Sequence, residues 1–364
     1  MVYHKEICRK ESVSMYELSI NNVVPNMVLY HDVYCKNANY MLPSLTVLTS
    51  EHIAMLKSHG IFQVTLADLT EVNESRYKIL RSSQAFNDFS ILYRQKLQHF
   101  IRLVNNLGTG LDLQAESLLQ IRDDIVSSLC CGEQLLDFLY YMVPDEHEIT
   151  YTHCFNCGLI AYYFAKWCGF LSEDCDTATI CGFLFDIGKT KIQDQLIWKQ
   201  DKLTPEEFVL MQHHIHLGYE LLRNKTLPPH VISTLIMHHE RCDGSGYPAH
   251  LKENRIDPFA LFIGIVDTYE ALTHPRAQRL AYTPFQAIEA FEEEGFYKYG
   301  EKNARIIMEK IAESNCGRRI ELSDGTLGTV KEIHKDMLCK PTIQTDHYLI
   351  DLRNQPKLSI TRMS

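Results

Sequence analysis

Residues 238–248 read HHERCDGSGYP, directly after the apolar stretch VISTLIM at 231–237. Adjacent histidines on one helix point about 100 degrees apart, so His238 and His239 serve one polar centre only if it lies between their directions. The glycines after them permit tight turns and close backbone approach to a ligand. Tyr247 adds a ring for stacking and a hydroxyl for hydrogen bonding.

Other residues of the same chemistry lie on either side. His213, His214 and His216 fall in MQHHIHLGYELL. Asp186 sits in the apolar run CGFLFDIGK and Asp267 in FIGIVDTYEAL. A carboxylate in such a run is costly to bury unless something positive pairs with it. Neutral imidazoles and carboxylates are the usual ligands of Zn, Fe and Mn. His153 opens the helical stretch HCFNCGLIAYYFAKWCG, on one face with Cys157, Ile160 and Phe164. Each of these residues alone reads more simply as a hydrogen-bonded core residue. Four apolar helices each giving a His or Asp at one level point instead to a metal centre inside a helical bundle. Lys189 stands one helical turn from Asp186, as an ion-pair partner or as a ligand-facing cation. Arg276 and Arg279 follow Asp267 and are either phosphate clamps or solvated surface charge.

The whole chain has 364 residues, 45% hydrophobic and 23% charged, which excludes disordered and collagen-like classes and suggests more than one domain. Acidic groups outnumber basic ones 46 to 36, a net charge of -10, so nucleic acid held by bulk charge is not expected. No apolar stretch approaches the roughly 20 residues of a membrane span, and the N-terminus shows no secretory signal. A cytoplasmic protein is the expectation. The 12 cysteines are scattered: Cys130 and Cys131 are adjacent, Cys154 and Cys157 form the one CxxC, and no second CxxC completes a zinc set. They read as reduced, mostly buried thiols.

The expected fold is mainly α, a helical-bundle core flanked by a small N-terminal α/β module and a small C-terminal β module. Residues 14–72 form the first module, where MVLYHDVYC is strand-like and SEHIAMLKSHG is a helix ended by Gly60. A helical connection with a break at Gly108 to Gly110 covers 73–145. The core spans 146–312. The last module spans 317–362, with IELSDGTLGTVKEIH as a hairpin turning at Asp324-Gly325 and HYLIDL as a further strand. His31, His334 and His347 read as surface residues.

HHERCDGSGYP matches the HHExxDGxGYP element of the HD-GYP subfamily of HD-superfamily phosphohydrolases. Further matches lie in order around it: His153, DIGK at 186–189, KLTPEEF at 202–208, His214 with Gly218 as HxxxG, and VDTYEALTHPR at 266–276. The chain thus resembles bacterial, helical enzymes that hydrolyse cyclic di-GMP to pGpG or GMP at a centre of two or three divalent metals, usually iron or manganese. The resemblance implies one metal held by His153, Asp186 and Asp267, and another by Asp186, His214, His238 and His239. Asp186 would bridge them. Lys189, Arg276 and Arg279 match positions that contact substrate phosphates, and Tyr247 one that lines the ligand pocket. The selection of His214 over its neighbours rests on the HxxxG match alone.

One departure matters. The family's HD dyad reads Phe185-Asp186 here, and phenylalanine cannot ligate a metal. Losing a partner of a ligand weakens metal sites about 10- to 100-fold, and losing a ligand costs at least that. No obvious substitute stands nearby; Cys181 is one turn earlier on that helix and is not expected to replace the missing imidazole. Ile149 stands where a third metal would require a carboxylate, and Glu270 where the family often has Asp. Phe185 therefore separates a working phosphodiesterase with a weakened first metal position from a catalytically silent receptor for cyclic di-GMP or a signalling partner. An HD-type hydrolase of another nucleotide is a third reading.

Overall fold

The computed structural model describes residues 15–23, 27, 29–31, 33–34, 40–42, 46, 48, 50–67, 83–109, 113–142, 145–197, 199, 202–274 and 281–363. It divides into two compact units, residues 1–91 with 276–280, and 92–275 with 281–364.

In the first unit, β1 (Met15–Ser19) pairs antiparallel with β4 (Gln63–Ala67), and β2 (Val33–Tyr34) pairs with β3 (Tyr40–Leu42). Helix α1 (Ser50–Ser58) buries Ile53 and Leu56, which lie on one face as helical spacing requires. The chain leaves α1 through Gly60, whose φ of +72° is a left-handed conformation that glycine adopts without steric cost. Leu29, Val64, Leu66 and Leu48 complete this small core.

Helix α2 (Gln84–Asn105) crosses the boundary between the units. A 3-10 turn (Asn106–Thr109) follows it, then α3 (Ala115–Val126) and α4 (Gly132–Tyr141). The centre of the second unit is α5 (Ile149–Trp167), which begins one turn before His153 and is apolar on nearly every side. From Thr152 to Ala165 it is buried almost throughout, the pattern of a helix surrounded by others. Helix α6 (Ser172–Leu184) lies along it at unusually short range. A Cβ added to Gly182 would come 2.6 Å from the Cys157 carbonyl oxygen, and one on Gly158 would overlap the Phe183 ring. Phe100, Phe155 and Phe183 interlock around that contact with ring centroids 5.4–5.8 Å apart.

After α6 the chain makes a 3-10 turn (Ile187–Lys191) and the short α7 (Asp194–Ile197). Helix α8 (Pro205–Leu222) starts with a capping box, in which Thr204 accepts from Glu207 N and the Glu207 carboxylate accepts from Thr204 N. Helices α9 (Pro229–Met237), α10 (Pro258–Thr273), α11 (Pro284–Glu294) and α12 (Glu301–Ser314) complete the bundle. Three of these four carry Pro at the first turn, where its missing N–H costs nothing. Among the described residues no helix is long and apolar enough to cross a membrane.

The C-terminal module is a five-stranded antiparallel sheet in the order β8-β7-β6-β5-β9. Its strands are β5 (Arg319–Leu322), β6 (Leu327–Glu332), β7 (Thr342–Gln344), β8 (Leu349–Asp351) and β9 (Ile360–Met363). The β5–β6 turn contains Gly325 at φ +85°, and Asp324 accepts from Thr326 N. Strands β7 and β9 are too short to have shown a period in the sequence. His334 is not a surface residue: it meets Thr342 Oγ1 at 2.8 Å inside the module. Cys154, Cys157, Cys175 and Cys181 are buried and free, whereas Cys130 and Cys131 are exposed.

The turn after α6 touches α8 through Gly188. A Cβ there would overlap the His214 carbonyl oxygen and stand 2.6 Å from Gly218 N, so two backbones meet where no side chain fits. Gly188→Ala is expected to destabilise the fold by about 1–3 kcal/mol through overpacking. Urea unfolding checks this, and an unchanged midpoint would show that α8 can withdraw without cost.

Candidate metal centre

Asp186 follows the end of α6, caps the 3-10 turn after it and is fully buried. Its Oδ2 lies 2.5 Å from Lys189 Nζ, across the 3-10 turn. Its Oδ1 faces His214 Nε2 at 3.4 Å and His238 Nε2 at 3.9 Å and makes no hydrogen bond. Burial opposes the carboxylate, but Lys189 first, then His214 and His238, hold it below the ordinary value. Burial likewise opposes the Lys189 ammonium, and Asp186 and Asp267 outweigh it, so both partners stay charged.

Around Oδ1 the imidazoles share one arrangement. His214 donates Nδ1–H to Met211 O at 2.6 Å, and His238 directs Nδ1 at Thr234 O and Leu235 O at 3.2 and 3.1 Å. A proton fixed on Nδ1 leaves Nε2 with its lone pair in the neutral ring. The Nε2 atoms of His214, His238 and His239 are buried and have no hydrogen-bond partner. Burial, more than any neighbour, pushes all three rings below the usual histidine range, His238 to about 4 and His239 well below its ordinary value. Their donor atoms lie within 4.8 Å of one another. Ligands about 2 Å from one ion stand roughly 3–4 Å apart, so this group suits a divalent transition metal. The spacing to Asp186 Oδ1 is also too long for a good hydrogen bond and right for two ligands of one ion.

The other side of Asp186 is built differently. His153 Nε2 meets Asp267 Oδ1 at 3.1 Å and Asp186 Oδ2 at 3.7 Å, while Nδ1 bonds Glu270 Oε2 at 2.5 Å. Burial disfavours its charge, but Cys157, Glu270 and Asp267 together raise it well above the usual value. Against the opposing effect of burial, His153 holds Asp267 far below the carboxylate range and, with His274, holds Glu270 at about 2. This half is an ion-pair cluster rather than a set of waiting lone pairs.

Phe185 fills the space between the halves, its ring centroid 5.6 Å from that of His153 and 4.9 Å from that of His238. It offers no donor. Cys181 takes a hydrogen bond from Thr234 Oγ1 at 3.5 Å and joins neither group of described residues whose donor atoms are spaced to hold an ion. Cys157 Sγ stands 3.8 and 4.0 Å from the two His153 nitrogens. Its sulfur lies with donor atoms of His153 and Glu270 within 4.8 Å of one another, a second buried group whose spacing could hold an ion.

His153, Asp186, Lys189, His214, His238, His239 and Asp267 therefore converge, and Tyr247 stacks on His239 with centroids 4.4 Å apart. His213 is exposed and turns Nδ1 to Val209 O, which leaves His214 as the ring of its cluster that meets Asp186. Arg276 and Arg279 lie outside the described residues. Sequence reasoning missed two supports. Glu240 is buried and accepts from Ala249 N at 2.7 Å and Leu251 N at 2.9 Å, tying the DGSGYP loop to the end of α9. Glu270 also accepts from Asn156 Nδ2 at 2.8 Å, and Asn156 Oδ1 accepts from Tyr93 OH at 2.7 Å, which extends the cluster to α2. Asn156 lies one turn after His153 in an apolar helix, a polar intrusion that the sequence did display.

A family model described as HD domain matches residues 144–302. A cyclic di-GMP phosphodiesterase of Pseudomonas aeruginosa, PA4108, is 28% identical over 211 residues, 58% of this chain and 50% of that protein. One from Thermotoga maritima is 33% identical over 162 residues, 44% of this chain and 43% of that protein. The chain thus spans about half the length or less of these curated relatives. Bd1817, an HDG"Y"P protein from Bdellovibrio bacteriovorus, shares the fold with a TM-score of 0.51 at 14% identity, over 82% of this chain and 99% of that one.

The three depressed imidazoles make the metal-free fold acid-sensitive. A histidine whose folded pKa lies below its unfolded value binds fewer protons when folded, so the stability present above about pH 6.5 is lost as pH falls toward 4. His238 alone contributes about 3 kcal/mol to that loss on these values. His238→Gln is expected to flatten the fall of the urea midpoint between pH 6.5 and 4, and an unaltered slope would show that another group carries it.

Proposed function

We propose that this chain, which belongs to the HD-GYP subfamily of HD-domain proteins, is a metal-dependent phosphodiesterase that hydrolyses cyclic di-GMP to pGpG or GMP. The observation that carries the reading is the trio of unpartnered Nε2 atoms on His214, His238 and His239 around a buried carboxylate oxygen. The names of the relatives supply the substrate, and the net charge of -10 fits an anionic ligand bound through metal and a few placed cations rather than bulk charge.

His214, His238, His239 and Asp186 would hold a divalent ion such as iron or manganese. His153, Asp186 and Asp267 would form a first position, weakened by Phe185. When bound, such ions polarise a phosphoryl oxygen and lower the pKa of water. The chain's own groups do the rest. Asp186 gives one oxygen to each side. Lys189 remains protonated and is 22% exposed, so its ammonium can turn from Asp186 to a substrate phosphate. The carbonyls that hold the Nδ1 protons of His214 and His238 keep both rings in the ligating tautomer. Arg276 and Arg279 are proposed as further phosphate contacts, and Tyr247 as a pocket wall.

A second reading follows from Phe185. With one metal position occupied, the same frame binds cyclic di-GMP without cleaving it and acts as a receptor or scaffold. Single-turnover hydrolysis by anaerobically purified protein, with iron and manganese counted in the same sample, separates the two. Product with close to two metals per chain is the expected result. Tight binding without product, at one metal or none, establishes the receptor. Asp186→Ala should abolish hydrolysis and most metal binding, and normal metal content in that variant would refute its central role. Phe185→His should raise metal occupancy and turnover together, and unchanged turnover at full occupancy would clear Phe185 of limiting the reaction.

A further inference from the structure

A succession of rings leads from His239 to the protein surface. His239 is stacked by Tyr247 at 4.4 Å with an interplanar angle of 27°, and Tyr247 meets Phe208 at 5.4 Å and 74°. Phe208 stands at the start of α8, 38% exposed. Its place is fixed. The capping box of Thr204 and Glu207 immediately precedes it, Phe208 N bonds Thr204 O at 2.8 Å, and Lys199 pairs with the Glu207 carboxylate at 2.5 Å. Tyr247 is fixed from the other side, because Glu240 holds the backbone at Ala249 and Leu251.

A large aromatic ring left partly in water, rigidly mounted and one ring removed from a centre that suits phosphate chemistry, has a natural ligand in a flat heteroaromatic group attached to that phosphate. We infer that Phe208, set at a steep angle to Tyr247, is a stacking surface for a nucleobase of the substrate. The inference rests on the proposed cyclic dinucleotide function and adds a base subsite to it. A nucleobase stacks on an aromatic face whatever its hydrogen-bonding edge, so Phe208 supplies affinity for the base, and the metal side grips the phosphate.

The test compares wild type, Phe208→Leu and Phe208→Trp, all metal-loaded. Calorimetric titration uses a phosphorothioate analogue of cyclic di-GMP that resists hydrolysis, and inorganic phosphate serves as a ligand without a base. Leucine keeps the apolar bulk and removes the π-face, so the analogue should bind about tenfold more weakly while phosphate affinity stays unchanged. Tryptophan should retain the analogue's affinity to within about twofold. Equal analogue affinity in wild type and Phe208→Leu would overturn the subsite. So would parallel loss of analogue and phosphate, the signature of a ring that only props Tyr247. Failure of wild type to bind the analogue while binding phosphate would instead remove the cyclic dinucleotide reading itself.

Discussion

The burial of the Asp186 carboxylate is the constraint on which the rest of this centre depends. A lone carboxylate in an apolar core is untenable; here Lys189 supplies one full cation beside it, and the Nε2 lone pairs of His214 and His238 turned toward its other oxygen call for a further cation between them. The backbone is shaped to deliver those partners. Gly158 and Gly182 let α5 and α6 approach until His153 and Asp186 share a level, and Gly188 lets the following turn press on α8 until His214 faces the same oxygen. Small residues at these contacts are the structural cost of a polar centre inside a tightly packed bundle.

Asp186 has two oxygens, and the protein treats them as two chemistries. Beside Oδ1 stand neutral rings whose Nδ1 protons are fixed by main-chain carbonyls, an arrangement prepared for a cation. Beside Oδ2 stand Lys189 and His153, the latter held between Asp267 and Glu270, so two cationic groups face three carboxylates and most of the charge there is paired within the protein. Phe185 sits on the border. An apolar ring at that place removes a donor, and by excluding water it also strengthens the ion pairs around it.

Much of this was legible in the sequence because polar residues are conspicuous in apolar helices. Asp186, Asp267, His153 and the His238-His239 pair each interrupt a run that has no other reason to be polar, and the helical core with a terminal β-hairpin followed from period and turn chemistry. Other features depended on distance and direction, which a linear pattern does not carry. Three histidines in MQHHIHLG were equivalent until α8 was placed, since which ring meets Asp186 depends on the rotation of that helix against Gly188. Cys157 shares a face with His153, yet only the placed helices bring its sulfur within 4.8 Å of donor atoms of both His153 and Glu270. Glu240 looked like one more polar residue of HHERCDG, and its work is to hold backbone amides nine and eleven residues onward.

That last point bears on how the site could discriminate among phosphodiesters. A metal ion held by imidazoles and carboxylates would bind any phosphate, so selectivity would have to come from groups held at a distance from it. Two rigid attachments do this here: Glu240 fixes the loop that presents Tyr247, and the Thr204–Glu207 capping box fixes the helix turn that presents Phe208. Because both rings are carried on main chain held by hydrogen bonds made before any ligand arrives, little backbone entropy is left to lose on binding. On the proposed reading, metal-side chemistry and base recognition are thus separable properties of one frame. Phe185 bears on the first and leaves the second intact, so the two readings of this chain, hydrolase and receptor, share the same ligand.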